Sequence, residues 1–330
     1  MAHELMTYKN AAGQTVNCFA YHGDTPWHKL GQRVVGAMTS EQAVTEANLG
    51  WRVGLAPLFV QDQDRFEKVP ETFAVRRDDG FVLGTVGKRY QPIQNTEVFD
   101  FMDTLVEGGA LRYHTAGAIR DGRKVFLLAK VTDDPLHVVP GDKIDQYVLA
   151  MNSHDGSGSM QVLFTTVRVV CQNTLNLAIS NNSKFNKGAV VHIKHMGKLE
   201  TKKDTARKIL GIAKERMSAF EKAARALAAV PMDPPSFRQF TTTLVPDGKN
   251  EGEQNKVWVT RQLLQDNFER GPGTEIYGVK NTRWAALNAV TDMTTHSHGA
   301  NTSAGTRFMT TMLNQGNDMA QRAYNMLLAA

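Results

Sequence analysis

The stretch Asp145–Ser180, DQYVLAMNSHDGSGSMQVLFTTVRVVCQNTLNLAIS, constrains the fold of this chain more than any other. Tyr147–Met151 and Met160–Val170 are rich in strand formers, and the small polar run Ser153–Ser159 lies between them. This pattern predicts a β-hairpin. Beyond Cys171-Gln172-Asn173-Thr174, Leu175, Ala178 and Ile179 recur at helical spacing, so the second strand should deliver the chain to a helix start. Upstream, Leu111–Ala118 and Lys124–Val131 read as strands joined through Arg120-Asp121-Gly122. Two hairpins followed by a helix bury such a pattern most simply as a twisted antiparallel sheet with a helix on one face.

Earlier residues extend the β-rich part. Trp51–Leu55, Leu58–Val60, Phe73–Arg76 and Phe81–Val86 read as strands, with Arg77-Asp78-Asp79-Gly80 as a turn. Ser40 is the expected cap of a short helix through Ala47. Asn95 is the expected cap of a second helix, carrying Val98, Phe99, Met102, Leu105 and Val106 on one face. After Lys187 the period changes. Ala206, Leu210, Ala213, Met217, Phe220, Ala224 and Leu227 form a heptad seam that packs on the chain's own sheet or on another subunit, and Pro231 with Pro234-Pro235 ends it. Val257–Phe268, Trp284–Thr291, Met309–Leu313 and Asp318–Leu328 also read as helices, with a loop at His296–Gly305. The expected fold is α+β: residues 1–183 form a core of antiparallel hairpins packed by helices, and residues 184–330 are mainly helical.

Composition enters through charge. The net charge is +5, yet residues 184–225 hold twelve Lys or Arg against four acids, a local +8 that leaves the remainder at −3. Concentrated positive charge suits a polyanion. No apolar run is long enough to span a bilayer, and the first residues lack the apolar core of a secretory signal, so a soluble cytoplasmic protein is expected. The two cysteines, Cys18 and Cys171, make no disulfide framework and are expected as thiols.

TPWHKLG at Thr25–Gly31, GKRYQPIQN at Gly87–Asn95, TAGAIRDGRKVFLLAKV at Thr115–Val131, NSHDGSGS at Asn152–Ser159, VRVVCQNTLNLA at Val167–Ala178 and NTRWAALNAVTD at Asn281–Asp292 resemble the phage/plasmid-like proteins built on the domain of unknown function 932. The resemblance covers most of the chain and implies a mobile genetic element as its source, with no established reaction or catalytic residues. The hairpin, hairpin, helix order is also similar to the core of Rad52-type single-strand annealing proteins, an architectural analogy.

No catalytic motif names a reaction. His154 and Asp155 suit a divalent metal and would serve a metal-dependent nuclease, but they sit in a Gly/Ser turn where Asp-Gly is ordinary hairpin chemistry. His296 and His298, with His22 and His28, lack the Cys pair or H-E-x-x-H spacing that would make a zinc site, and no phosphate-binding G-x-x-x-x-G-K-[ST] occurs. No cofactor or metal is expected. The favoured expectation is nucleic-acid binding, single-stranded DNA first, by a homo-oligomer able to anneal strands. Its phosphate contacts would be Arg120, Arg123, Lys124, Arg168, Lys184, Lys187, Lys194, Lys198, Lys202, Lys203, Arg207, Lys214, Lys222 and Arg225. Tyr113 and Tyr147 are the expected base-stacking rings. The third alternative is a non-enzymatic phage or plasmid accessory that binds a host protein.

Overall fold

The computed structural model describes residues 5–23, 30–131, 135–168, 173–174, 190–195, 202–294 and 318–329. The chain forms two compact units that alternate along the sequence. Unit 1 comprises residues 1–133, 147–163 and 190–212, and unit 2 comprises residues 134–146, 164–189 and 213–330.

The strands are β1 (Thr7–Lys9), β2 (Thr15–Asn17), β3 (Phe19–His22), β4 (Gln32–Val34), β5 (Val53–Asp62), β6 (Arg65–Arg77), β7 (Val82–Gly87), β8 (Leu111–Ile119), β9 (Lys124–Val131), β10 (Leu136–His137), β11 (Lys143–Ser153), β12 (Met160–Arg168), β13 (Asn173–Thr174) and β14 (Val190–Ile193). The main sheet runs β13-β12-β11-β9-β8-β3-β4, with β10 added to β11 and β14 to β12. Both expected hairpins are therefore consecutive strands of one sheet, which is antiparallel around them and parallel between β3 and β4, and the fold class is α+β. The turn between β8 and β9 needs three left-handed residues, Arg120 (φ 53), Asp121 (φ 55) and Gly122 (φ 87). At Gly122 a side chain would also crowd Trp51 and Arg77, at 3.1 and 3.3 Å. β9 is buried along most of its length. Val125, Leu127 and Ala129 pack with Ala116 and Ala118 of β8 against two helices, α1 (Ser40–Glu46) and α2 (Asn95–Val106).

Both helix caps differ from expectation by one residue. Thr39, not Ser40, caps α1, accepting from the Gln42 N–H while the Gln42 side chain accepts from the Thr39 N–H. At α2 the Glu97 carboxylate accepts from the Gln94 N–H at 2.7 Å, and the Gln94 amide is engaged by both backbone polar groups of Val53. Asn95 is thereby freed for a buried role inside the unit. The short strands β1 to β4 were not anticipated, because each is too brief to show a period.

β5, β6 and β7 form a separate three-stranded sheet, in which β5 is one strand rather than two. Between Pro57 and Phe59 the register with β6 shifts, and beyond this irregularity Phe59–Asp62 pair only with Arg65–Lys68. The result is a two-stranded arm with Phe59, Val60 and Phe66 exposed.

In unit 2 the core gathers Phe220, Ala224 and Leu227 of α3 (Lys202–Ala228) with residues of α4 (Pro234–Leu244), α5 (Glu251–Arg270), α6 (Arg283–Asp292) and α7 (Asp318–Ala329). The described end of the heptad seam is thus covered by its own chain. α4 is an unanticipated helix. Pro234-Pro235 ends the pattern before it but opens a new helix, since proline lacks only a donor that the first turn leaves unpaired, and Asp233 caps it. α6 is buried nearly all round, and fully buried Trp284 donates from Nε1 to Asp142 Oδ2 at 2.7 Å. The helix expected after Cys171, the segment Met309–Leu313 and the His296–Gly305 loop lie outside the described residues.

Candidate functional site

The chemistry-bearing side chains of unit 1 collect where the β8–β9 and β11–β12 turns meet. Pairing of Ser153 with Lys124 puts both turns at the same end of the sheet. Lys124 is only 4% exposed. Its ammonium donates to Ser153 Oγ at 2.7 Å, to Asp155 Oδ1 at 3.2 Å and to Ser157 Oγ, so each of its three donors has an acceptor. Burial holds the Lys124 pKa below the usual lysine range, and Asp155 offsets part of that effect. Burial would push the Asp155 carboxyl up, but the Ser157 hydroxyl and N–H together with Lys124 outweigh it and hold Asp155 below the usual carboxylate range. The turn is also clamped from outside. Gly84 of β7 lies so close to the Asp155 backbone that a Cβ there would stand 2.4 Å from the Asp155 oxygen.

On the other side of the same strand end, Asn95 fixes His154. The Asn95 amide nitrogen donates to Leu49 O at 2.9 Å and Trp51 O at 3.3 Å, so Oδ1 is its acceptor and His154 Nε2, at 2.8 Å, must be the donor. The lone pair of His154 is therefore on Nδ1, which meets no donor among the described residues. Burial, then His195, pushes the His154 pKa down to about 3. His195 stacks on Tyr90 with ring centroids 4.8 Å apart; burial pushes its pKa down to about 4, and a bond to the Gln91 backbone offsets part of that effect. Both rings are neutral at physiological pH.

At the rim above these buried groups, Arg77 and Arg123 lie against Phe81, their guanidinium carbons 5.0 and 5.4 Å from its ring centroid. Arg77 donates to Asp121 O at 3.1 Å and pairs with Asp79, and Arg123 donates to Leu83 O at 3.0 Å. Phe81 keeps 38% of its surface exposed between them.

The family model for a domain of unknown function, DUF932, matches residues 82–323. This chain belongs to the DUF932 family. No curated protein and no solved structure matches it. The buried cluster falls within the matched DUF932 region, whereas Arg77 and Phe81 stand just before it.

The DUF932 chain places its expected contact residues unevenly. Arg120 and Arg123 are half-buried at the rim, and Lys194 is exposed directly after β14. Lys124 is the correction among the cations: with its ammonium buried and fully bonded, it supports the turn from beneath and offers no donor to a phosphate. On α3, Lys214, Lys222 and Arg225 are exposed, the last paired with Glu221 at 2.8 Å. Lys202, Lys203 and Arg207 lie in α3 and Arg168 in β12, with side chains outside those described; Lys184, Lys187 and Lys198 lie outside the described residues. Tyr113 and Tyr147 are corrections too. Tyr113 is buried with its hydroxyl on Asp103 Oδ1 at 2.7 Å, and Tyr147 is buried edge-on to His114, so neither ring presents a face to a base. Their strand positions are the reason, since β8 and β11 are covered where a rim strand would be open.

His154 and Asp155 take separate partners rather than facing one ion. Among the described residues no group of three His, Cys, Asp or Glu is placed to hold a metal. Cys18 is buried, which pushes its thiol up to about 11, and Cys171, His28, His296 and His298 lie outside the described residues. No helix among the described residues is long and apolar enough to cross a membrane.

Proposed function

We infer that this DUF932 protein is a nucleic-acid-binding protein of a phage, plasmid or other mobile element. It acts in the cytoplasm on single-stranded DNA by preference, as a homo-oligomer in strand annealing or recombination. The observation that carries this reading is the segregation of charge, +8 over residues 184–225 in a chain of +5. Of the cations of this stretch with described side chains, Lys194, Lys214, Lys222 and Arg225 reach solvent, while Arg216 is half-buried. Exposed lysines and arginines hold a sugar-phosphate chain without reading its sequence, and annealing asks only that phosphates be neutralised while base edges stay free. Such work needs no general acid, base or nucleophile. The bonding of His154 to Asn95 and of Asp155 to Lys124 and Ser157 accordingly fits a scaffold for the rim.

The test is fluorescence anisotropy of labelled single- and double-stranded oligonucleotides over a salt series. Affinity should fall log-linearly with salt. Replacing Lys194, Lys214 and Lys222 together by Ala should weaken every sequence alike and, on single strands, flatten the salt slope by about 0.7 for each phosphate no longer neutralised. Affinity indifferent to salt, or unchanged in the triple variant, would refute the reading.

A further inference from the structure

We propose that the arm Phe59–Lys68 joins two copies of this chain: the outer edge of β6 pairs antiparallel with the same edge of a second copy, about a two-fold axis at Phe66. This deepens the homo-oligomer part of the reading above and rests on it. It does not depend on what the oligomer binds.

Within the arm, β6 has a strand on one side only. Phe59–Asp62 of β5 pair with Arg65–Lys68, whereas β7 joins β6 only from Thr72 onward. The backbone groups along the outer edge of Arg65–Lys68 therefore meet no strand among the described residues, the situation in which a sheet edge recruits another chain. Pro70, which has no N–H, and Glu71, at φ 55, interrupt that edge beyond Val69 and leave Arg65–Lys68 available.

The charges along this edge select its occupant. Backbone groups alternate in direction along a strand, so two identical edges can pair antiparallel about a two-fold axis only if the axis passes through a residue. Centred on Phe66, the pairing of Asp64-Arg65-Phe66-Glu67-Lys68 with itself sets Arg65 opposite Glu67 twice, Asp64 opposite Lys68 twice, and Phe66 opposite Phe66. Every charge meets its opposite. Asp62 already opposes Arg65 within the hairpin, so alternating charges continue from one copy into the next. Centring on Glu67 or on Lys68 would instead set that charge against itself, which fixes the register. On the other face of the arm Phe59 lies diagonal to Phe66, and the two are 52% and 71% exposed, so pairing gathers four phenyl rings on one face of a four-stranded sheet. Three acids (Asp62, Asp64, Glu67) against two bases (Arg65, Lys68) give the arm a charge of −1, which disfavours a polyanion as its occupant. So short an edge buries well under the roughly 1,200 Å² of a stable complex, and the contact is accordingly reversible.

Sedimentation equilibrium of the full chain, over about a hundredfold range of concentration, tests the contact. Wild type should associate reversibly. Glu67→Arg alone and Arg65→Glu alone each oppose like charges across the axis and should weaken association about tenfold. An equimolar mixture of the two variants should associate as wild type does, because each supplies the charges that the other lacks. Phe66→Cys should form a disulfide-linked dimer under mild oxidation, since opposed strand Cα atoms lie about 4.5–5.5 Å apart, and Phe59→Cys, one strand further from the axis, should not. Cross-linking leaves the charges untouched, so it decides the question even where a charge variant loosens the arm. Association unaltered in both charge variants, a mixture that stays dissociated, or no cross-link at Phe66 would overturn the arm contact and leave an oligomer built elsewhere. A wild type that is monomeric throughout would remove the oligomer reading as well.

Discussion

Lys124 and Arg225 are both in ion pairs, and they are worth very different amounts. Lys124–Asp155 is largely screened from water, so Lys124→Met should destabilise by about 3 kcal/mol, because it leaves a carboxylate enclosed without its cation. Arg225→Ala, which breaks an exposed pair with Glu221, should cost less than about 1 kcal/mol. Urea denaturation of both variants measures the contrast. His154 and His195 give a pH prediction. Each is neutral when folded, with pKa about 3 and about 4, and takes up a proton near pH 6.5 when unfolded. The unfolded chain therefore binds more protons below that value. Their contribution is fully present above about pH 6.5 and is lost as pH falls toward 4, by about 1.4 kcal/mol per pH unit for each ring. Because burial disfavours the charged ring more than the Gln91 backbone favours it, His195→Phe should gain stability relative to wild type as pH falls from 7 to 5. Thermal melts across that range test it, and parallel pH profiles would contradict the assignment. At this scale the sequence was partly legible. His154 and Asp155 stood out as a pair, but their separate partners depend on Asn95 and Lys124, 59 and 31 residues away, which no local pattern connects.

Elements were easier to read where a period was long and hardest where it was broken. The β8–β9 hairpin follows its strand-forming runs and its turn residues almost to the residue, and α6 is where its apolar run places it. α4 was hidden because Pro234-Pro235 is a stop for one helix and a start for the next. Among the helix starts, Thr282 at α6 accepts from the Ala285 N–H at 3.2 Å and donates to Val279 O at 2.6 Å. Thr282→Ala should cost about 1–2 kcal/mol, whereas Thr282→Ser should be nearly silent, as read by chemical denaturation. The arm beyond the irregularity in β5 has the opposite character. Phe59, Val60 and Phe66 are exposed, so Phe59→Ser with Phe66→Ser should leave stability within about 0.5 kcal/mol of wild type, checked by the same titration.

For the molecule as a whole, the sequence divides naturally at residue 183, where strand periods give way to helical ones, while packing divides it into two units of three segments each. Periodicity reports which faces are apolar and says nothing of which distant segment covers them. A fragment of residues 1–183 would lack β14, whose Val190–Ile193 pairs with Met160–Leu163 of β12, and the rest of the unit 1 segment that runs to residue 212. It should not show a cooperative melt by circular dichroism, and a sharp transition would show that unit 1 stands without that segment. The alternation of segments also bears on how the chain is made. The first 133 residues of unit 1 leave the ribosome well before its last segment ends at residue 212, an interval of about 4 to 16 s at common elongation rates. During that interval the β8–β9 and β11–β12 hairpins of the nascent chain wait for β14 and the segment that follows it, so slowing translation between residues 133 and 212 should lengthen the exposure of the unfinished sheet edge.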